Sequence, residues 1–304
     1  MPKLNVQQNN QNVIQAFRNA LAIGNLKGII ASDGSHNFST AGSNRNLLDN
    51  PWFTVNQRGV NGTITNGQYG LDRWMAGGGT VAMATGGITL GAGNSYAMQR
   101  PADPSIFNGK TVTLSVMTSD GVIESGTVVA QTGNAKTVRT ANFELCIGYT
   151  AYNSFYFYNI SSSEKTVIAA KLELGSVSTL ANDVPPEYGT ELMKCQRYFY
   201  RVKGHSYYAP FGIGIALSTS SAEIFIPTPV PMRTSITVST GGSFGLLSGG
   251  SSHTGISSIS YYDHTGGNVR VNVYLNSSPL TSGALCYLQG ASSANAYIDL
   301  SADL

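Results

Sequence analysis

Apolar and polar side chains alternate at every second position in several stretches of the chain. Val112, Leu114 and Val116 are separated by Thr and Ser. The same period of two returns in the segments 167–174, 224–226, 236–238, 269–273 and 298–300. Such an alternation predicts β-strands with one apolar face. In the segment 167–174 this face would be made of Ile168, Ala170, Leu172 and Leu174.

Two segments have a helical spacing instead. In residues 5–23 the apolar side chains recur every three or four positions, and Gly24 follows as a residue that can end a helix. These side chains are Val6, Val13, Phe17, Ala20 and Leu21. A second helix is predicted over Glu187 to Arg201, directly after Pro185 and Pro186.

The order of these segments predicts a mainly β fold with two β-sandwich, jelly-roll-like domains. Residues 1–45 would form the N-terminal helix and a linker, which serves docking or oligomerisation. Residues 46–184 would form a jelly-roll domain, and residues 185–304 a C-terminal β-sandwich that begins with the second helix. The Gly-rich segment from Gly77 to Gly93 predicts hairpins or wide loops. Three prolines exclude a central strand over residues 227–232.

Charged residues are scarce in this chain, and their scarcity excludes several classes of protein. Only 11% of its 304 residues are charged, against about 25% in ordinary soluble proteins, and 35 residues are glycine. Few good helix formers remain to cover helical surfaces, so a mostly helical protein is excluded. A formal net charge of +2 offers no basic field, and we expect no nucleic-acid partner. We also expect no membrane insertion, because no apolar run is long enough to span a bilayer.

Motifs of known enzyme chemistry are lacking. The three cysteines, Cys146, Cys195 and Cys286, form no CxxC pair and are interpreted as small buried hydrophobic residues. The sequence contains no GxSxG, HExxH or GxxxxGK[ST] string. His264 follows Asp263 but is interpreted as a surface loop residue. The acidic residues considered for a catalytic pair are interpreted as turn or surface residues; they are Asp72, Asp103, Asp120 and Glu124. We therefore predict no catalytic residues, no metal site and no cofactor.

Tyrosine is the residue type that points to binding. Its ring has a flat apolar face and a polar end, which suits both stacking against a sugar and burial in an interface. In the run 155–158 the two Phe and the two Tyr would lie on opposite faces of a strand. The Tyr face is open to two interpretations, sheet packing or a ligand surface. The candidate ligand-binding residues are Tyr156, Tyr158, Tyr207, Tyr208, Tyr261, Tyr262 and His264.

Several short strings carry a resemblance to a family. The strings are NLLDNPWF (46–53), NQRG (56–59), YGLDRW (69–74), KLELGSV (171–177), KCQRYFYR (194–201) and VPMRTSITV (230–238). In this order they resemble modules of phage and prophage tail-fibre proteins. The resemblance implies a virion structural protein with a carbohydrate-binding-module-like jelly roll, a distal β domain and homotrimeric assembly. Trp52 and Trp74 lie inside these strings, and we interpret both as core residues of the module rather than sugar platforms, because Trp contributes strongly to core burial.

The chain departs from the family pattern in two ways. It is short for a long fibre and lacks an extended shaft, and the part after Arg201 matches only loosely. A short tail fibre, a head fibre or an accessory spike would fit these departures.

The leading expectation is a non-enzymatic receptor-binding protein on the virion, made in the host cytoplasm. It would form a homotrimer, contact other virion proteins through its N-terminal segment, and bind host-surface polysaccharide or glycoprotein. The alternatives are a purely structural virion component, such as a head fibre or a capsid or tail accessory protein, and a glycan-cleaving depolymerase.

Overall fold

The computed structural model describes most of the chain. The described residues are 31–32, 38–39, 43–101, 103–131, 133–149, 154–277, 279–291 and 295–303. The helix predicted over residues 5–23 lies outside them. Within the predicted linker, Ala31–Ser32 (β1) pairs antiparallel with Phe38–Ser39 (β2). No helix in the described ranges is long and apolar enough to cross a membrane.

The first half of the described chain forms two antiparallel sheets. Their strands are Gly62–Ile64 (β3), Met75–Gly78 (β4), Val81–Ala84 (β5), Gly87–Leu90 (β6), Ser95–Gln99 (β7), Thr111–Thr118 (β8), Ile123–Val129 (β9), Lys136–Arg139 (β10), Phe143–Tyr149 (β11), Ser154–Asn159 (β12) and Lys165–Leu174 (β13). One sheet has the order β10-β11-β12-β7-β4 and the other β3-β5-β6-β13-β8-β9. The Gly-rich segment contains one hairpin, β5–β6, and its remaining turns connect strands of different sheets.

Both sheets bury side chains in one hydrophobic core. Phe155 and Phe157 of one sheet and Leu114 of the other belong to the same cluster, so this half is a β-sandwich. Trp74 is 1% exposed, and its Nε1 donates to the backbone oxygen of Asn50 at 2.9 Å, which confirms its core position. Trp52 is half-buried and does not belong to this core.

A second sandwich follows. Its elements are the helix Tyr188–Gln196 (α1) and the strands Phe199–Lys203 (β14), Pro210–Ala216 (β15), Ser221–Pro227 (β16), Thr237–Gly241 (β17), Phe244–Ser248 (β18), Ser251–Thr254 (β19), Ile256–Thr265 (β20), Asn268–Leu275 (β21), Leu285–Gly290 (β22) and Tyr297–Ser301 (β23). One sheet has the order β14-β23-β17, and the other has the order β19-β18-β22-β15-β16-β21-β20. Ile298 of the small sheet and Val271 of the large sheet share a second core.

The predicted fold class, mainly β with antiparallel sandwiches, is therefore confirmed. Two short 3₁₀ helices, Pro104–Phe107 and Leu180–Asn182, complete the described elements. The predicted domain limits at residues 45 and 184 stay predictions, because two cores do not fix where a domain begins.

The second predicted helix forms, but it is shorter than expected. Glu187 caps its N-terminus by accepting from Gly189 N at 2.8 Å and Thr190 N at 2.6 Å. The helix ends at Gln196, and the aromatic run that follows is strand β14. This run pairs with β23, about a hundred residues later in the chain, so a non-local partner overrides the helical spacing.

The face predicted for segment 167–174 is interrupted. A β-bulge lies between Val167 and Ala169, and Ile168 at the bulge is half-buried. Leu174, the last residue of the strand, is 42% exposed. The opposite face of β13, which carries Lys171, is also buried. Lys171 is fully buried, and its Nζ lies 2.6 Å from Asp183 Oδ1 and 2.9 Å from Thr179 Oγ1.

Residues that are far apart in the sequence contact each other where the two sandwiches meet. The guanidinium of Arg73 lies 3.4 Å from the ring centroid of Tyr198, and that of Arg58 lies 3.6 Å from the ring of Phe199. Gln57 Nε2 donates to the backbone oxygen of Phe199 at 2.7 Å. We call this contact region the joint. Several residues that carry the family resemblance therefore hold the two sandwiches together.

Candidate functional site

The seven predicted ligand-binding residues lie in three different parts of the structure. Tyr156 and Tyr158 lie on β12, Tyr207 and Tyr208 on the loop before β15, and Tyr261, Tyr262 and His264 on β20. No single site contains them all. Each surface has its own chemistry.

The tyrosine row crosses the outer face of the five-stranded sheet. As predicted, the run 155–158 alternates, with both Phe buried and Tyr156 and Tyr158 half-buried. Tyr96 of β7 joins them, with its ring centroid 5.4 Å from that of Tyr156 and 6.2 Å from that of Tyr158. The Tyr158 hydroxyl lies 3.1 Å from the Gly93 oxygen. Three neighbouring phenol rings thus form a platform about two strands wide.

Tyr96 was not predicted as a site residue. Its place depends on the register of β7 against β12, in which Tyr96 is directly opposite Tyr158. Its ring also lies on the backbone of Gly77, where an added Cβ would stand 2.0 Å from Tyr96 Cζ. The sequence has one sign of this arrangement, which is a glycine at the position opposite the large ring. This sign can be recognised only when the register of the strands is known.

The tyrosines of β20 point to opposite faces of their sheet. Tyr261 packs against the second core, and its hydroxyl lies 2.7 Å from His264 Nδ1. Burial raises the pKa of the Tyr261 phenol, and the Asp263 carboxylate raises it further. Tyr262 is on the outer face, with the Arg270 guanidinium 4.1 Å from its ring centroid. His264 is a half-buried strand residue, so its interpretation as a loop residue is wrong.

Tyr207 and Tyr208 are exposed by 63% and 62%. Tyr208 adopts a φ of 60°, which is uncommon for a residue with a side chain. It stands at a cleft of about 680 Å³ between the small sheet and the edge of the large one. We call it the hydroxyl cleft, because Ser and Thr dominate its lining. It is lined by Tyr208, Thr240, Gly242, Ser243, Phe244, Ser252, Thr254, Gly255, Ile256, Ser257, Ser258, Ile259 and Ala291.

The lining of the hydroxyl cleft is neutral. Among its described residues none carries a charge, and the Ser and Thr residues lie among apolar residues such as Ile256 and Ile259. Hydroxyls both donate and accept hydrogen bonds, whereas the apolar side chains offer flat contact. Of the predicted residues, Tyr208 alone lines this cleft. The Ser/Thr lining was missed, although the run GGSSHTGISSIS (249–260) shows its composition in the sequence.

Groups considered for catalysis lie elsewhere and are held in structural contacts. Asp72 is fully buried at the joint, where it accepts from Gln57 N at 2.7 Å, and Glu124 is 8% exposed and accepts from Asn142 N at 2.9 Å. Asp72 lies in a turn, as interpreted, although it is buried, whereas Glu124 is buried on strand β9, so its interpretation as a turn or surface residue is wrong. Asp103 caps a 3₁₀ helix by accepting from Ser105 N, and Asp120 accepts a hydrogen bond from Thr118 Oγ1.

The three cysteines are buried, as predicted, and burial raises the pKa of Cys146 and, strongly, of Cys195. The thiols of Cys146 and Cys195 are therefore poor nucleophiles near neutral pH. Within the described residues, no group of three His, Cys, Asp or Glu side chains is placed to hold a metal ion.

Comparison with known proteins gives no family. No protein-family model matches the chain, and no curated protein matches it either.

Proposed function

We propose that this protein is a non-enzymatic attachment protein of a phage particle that binds neutral glycans on the host surface through the hydroxyl cleft. The observation that carries the proposal is the cleft itself. It combines an exposed tyrosine ring, a row of hydroxyls and a lining without charge in one concave surface of about 680 Å³. Binding sites for small ligands are concave and contain polar groups that fix the orientation of the ligand. This cleft is richer in hydroxyls than an ordinary apolar pocket, which favours a ligand that is itself rich in hydroxyls.

A neutral sugar matches this surface in its chemistry. The Tyr208 ring offers an apolar face to the C–H side of a pyranose, and its exposure leaves room for that contact. The hydroxyls of Ser252, Thr254 and Ser257 can exchange hydrogen bonds with sugar hydroxyls. Tyr208 contributes to the cleft from a loop position with a left-handed backbone.

The tyrosine row is a second surface for the same ligand class. Tyr96, Tyr156 and Tyr158 lie side by side on one sheet face, with centroid distances of 5.4 and 6.2 Å. Flat rings at this spacing suit a linear chain of sugars. Each ring is half-buried, so its contact area is smaller than that of Tyr208.

The particle assignment is supported by the sequence strings and by the joint. Strings that resemble tail-fibre modules supply the side chains that fix the two sandwiches to each other, including Arg58, Arg73 and Phe199. In this proposal the N-terminal segment contacts other virion proteins and three copies assemble. Weak single sites then gain avidity from simultaneous engagement.

A purely structural virion component is the second candidate. The observation that favours it is the apolar outer face of the seven-stranded sheet, where Ile213, Ile215 and Leu285 are each about half exposed. A depolymerase has less support, because Asp72 and Glu124 are occupied by structural hydrogen bonds.

Binding of the full chain to an array of neutral and acidic host-surface glycans tests the proposal. We expect a neutral glycan to bind, the Tyr208→Ala variant to lose that binding at least tenfold, and Tyr207→Ala to keep it. Tyr207 is the matched control, because it is the exposed neighbour but does not line the cleft. An array without any bound glycan would overturn the proposal. Release of reducing ends from a bound polysaccharide would favour the depolymerase instead.

A further inference from the structure

The outer face of the seven-stranded sheet is apolar at its centre. β15 places Ile213 and Ile215 outward. Ile213 lies opposite Phe225 of β16 on one side and opposite Tyr287 of β22 on the other. Ile215 lies opposite Leu285 of β22. These five residues are between 38% and 51% exposed. They form one continuous patch across three adjacent strands, which we call the outer patch.

The strands beneath the outer patch are apolar on both sides. The inward residues of β15 and β22 include Phe211, Cys286 and Leu288, all within the second core. A strand in a sheet covered on one face alternates apolar and polar residues, whereas apolar residues on both faces are typical of a sheet covered twice. The sequences PFGIGIA and LCYLQG therefore encode a second cover. The described residues supply only the first.

Charges on this face are already paired within the chain. The Arg270 guanidinium lies 3.3 Å from Glu223 Oε2 and 3.7 Å from Asp263 Oδ2, and it also stacks on Tyr262. These three side chains carry one positive and two negative charges and lie beside the outer patch, whose five residues carry none. The outer patch therefore complements a partner surface that is apolar and uncharged.

The area of the outer patch is close to that of a protein interface. Five large side chains with nearly half their surface open expose on the order of 400–500 Å², and two such patches together approach the ~1,000 Å² of a small specific interface. A second copy of this chain has the same apolar patch and can therefore supply the other half of such an interface.

We infer that the outer patch packs against other copies of this chain and forms the main contact between subunits. The inference rests on the homo-oligomer of the proposed function, but not on its glycan binding. In a trimer the three sheets would meet with their outer patches around the axis. The hydroxyl cleft, which lies between the small sheet and the edge strands β19 and β20, would stay accessible.

Sedimentation velocity and light scattering on the full chain test this inference. We expect the wild type to have a multiple of the 32.1 kDa chain mass. Ile215→Glu and Leu285→Glu should each raise the dissociation constant at least tenfold, because a charge would be buried in the contact. Val129→Glu is the matched control, since Val129 is a 54% exposed apolar strand residue of the first sandwich, and it should keep the wild-type mass.

A milder substitution tests the inference if the Glu variants do not fold. If circular dichroism shows that a Glu variant is unfolded, Ile215→Thr keeps the β-branched shape and should still weaken association. A wild type that is monomeric at every concentration would overturn the inference, and so would a folded patch variant with unchanged mass. Hydroxyl-radical labelling of Phe225 and Tyr287 gives a further check, because protection in a monomer would show that another segment of the same chain covers the patch. A monomer that binds glycan would overturn this inference alone and leave the glycan-binding cleft in place.

Discussion

Arg201 and Asp299 form a two-point ion pair between neighbouring strands of the small sheet. Arg201 Nε lies 2.6 Å from Asp299 Oδ1, and Arg201 Nη2 lies 2.7 Å from Asp299 Oδ2. The third guanidinium nitrogen, Nη1, donates to the backbone oxygen of Arg58 at 2.7 Å. One side chain thus connects β14, β23 and the first sandwich. Arg201 Nη1 and the nearby stacking of Arg58 on Phe199 give the joint directional contacts.

Removing this guanidinium should weaken the fold. We expect Arg201→Ala to lower the free energy of unfolding by about 2–3 kcal/mol, because the charge-assisted hydrogen bonds of Asp299 and of the Arg58 oxygen are lost together. Urea denaturation measures the change. Arg139→Ala is the matched control, since Arg139 also pairs with a carboxylate but is 75% exposed, and it should change stability by less than about 0.5 kcal/mol. Equal effects of the two variants would contradict the role given to the joint.

Asp72 should make stability depend on pH in an unusual direction. Burial raises the pKa of its carboxyl above the ordinary value of 3.8, although Arg58 and the hydrogen bonds from Gln57 oppose this. The folded state then holds the proton more tightly than the unfolded state. The contribution of Asp72 to stability is therefore greatest at pH below 3.8 and declines as pH rises through the raised pKa.

Comparison with Asp72→Asn isolates this effect. The stability of the wild type relative to Asp72→Asn should fall as pH rises from 3.8, and it should level off once Asp72 is ionised. Urea midpoints of both proteins across this range measure the difference. A relative stability that instead rises with pH would mean that Arg58, 3.8 Å from Asp72, outweighs burial.

Lys171 should be essential for stability although it is a surface residue type. It is fully buried on β13, and its Nζ donates to Asp183 Oδ1 at 2.6 Å and to Ser43 Oγ at 2.5 Å. Lys171→Met keeps the length of the side chain but leaves Asp183 without its cation. We expect a loss of about 3–5 kcal/mol in unfolding free energy. Lys203→Met, at an exposed position on β14, is the control and should have little effect. A thermal melt of Lys171→Met that matches wild type would contradict the expectation.

Local patterns in the sequence predicted the parts of the fold that depend on neighbours along the chain. The alternation in the run 155–158 and the start of α1 directly after Glu187 are of this kind. What depends on distant partners was not predictable. The helical spacing after Gln196 gave no sign of the β23 strand that holds Phe199 in a sheet. The place of Tyr96 likewise depends on strand register, which a single sequence does not encode in any local run.

Gly77 should be required for the tyrosine row. Its backbone lies beneath the Tyr96 ring, so the methyl group of Gly77→Ala would stand 2.0 Å from Cζ and force the ring away. We expect a loss of about 1–3 kcal/mol in stability and an altered near-UV circular dichroism spectrum of the tyrosines. Gly87→Ala is the control, because that strand glycine has only ordinary contacts at 3.4 Å or more. An unchanged spectrum of Gly77→Ala would show that Tyr96 does not lie against Gly77.

Glycan binding at the hydroxyl cleft should be nearly independent of salt. The described lining carries no charge, so raising ionic strength screens no attraction between protein and a neutral sugar. We expect the dissociation constant to change less than about twofold between ~0.01 M and ~0.15 M salt, a range in which the Debye length falls from ~30 to ~8 Å. Ser258→Lys gives the matched comparison, because a cation in the cleft should create salt-sensitive binding of acidic glycans. Wild-type binding that weakens many-fold with salt would instead point to a charged surface, such as the groove lined by Arg45, Lys194 and Arg197 together with Asp49 and Asp103.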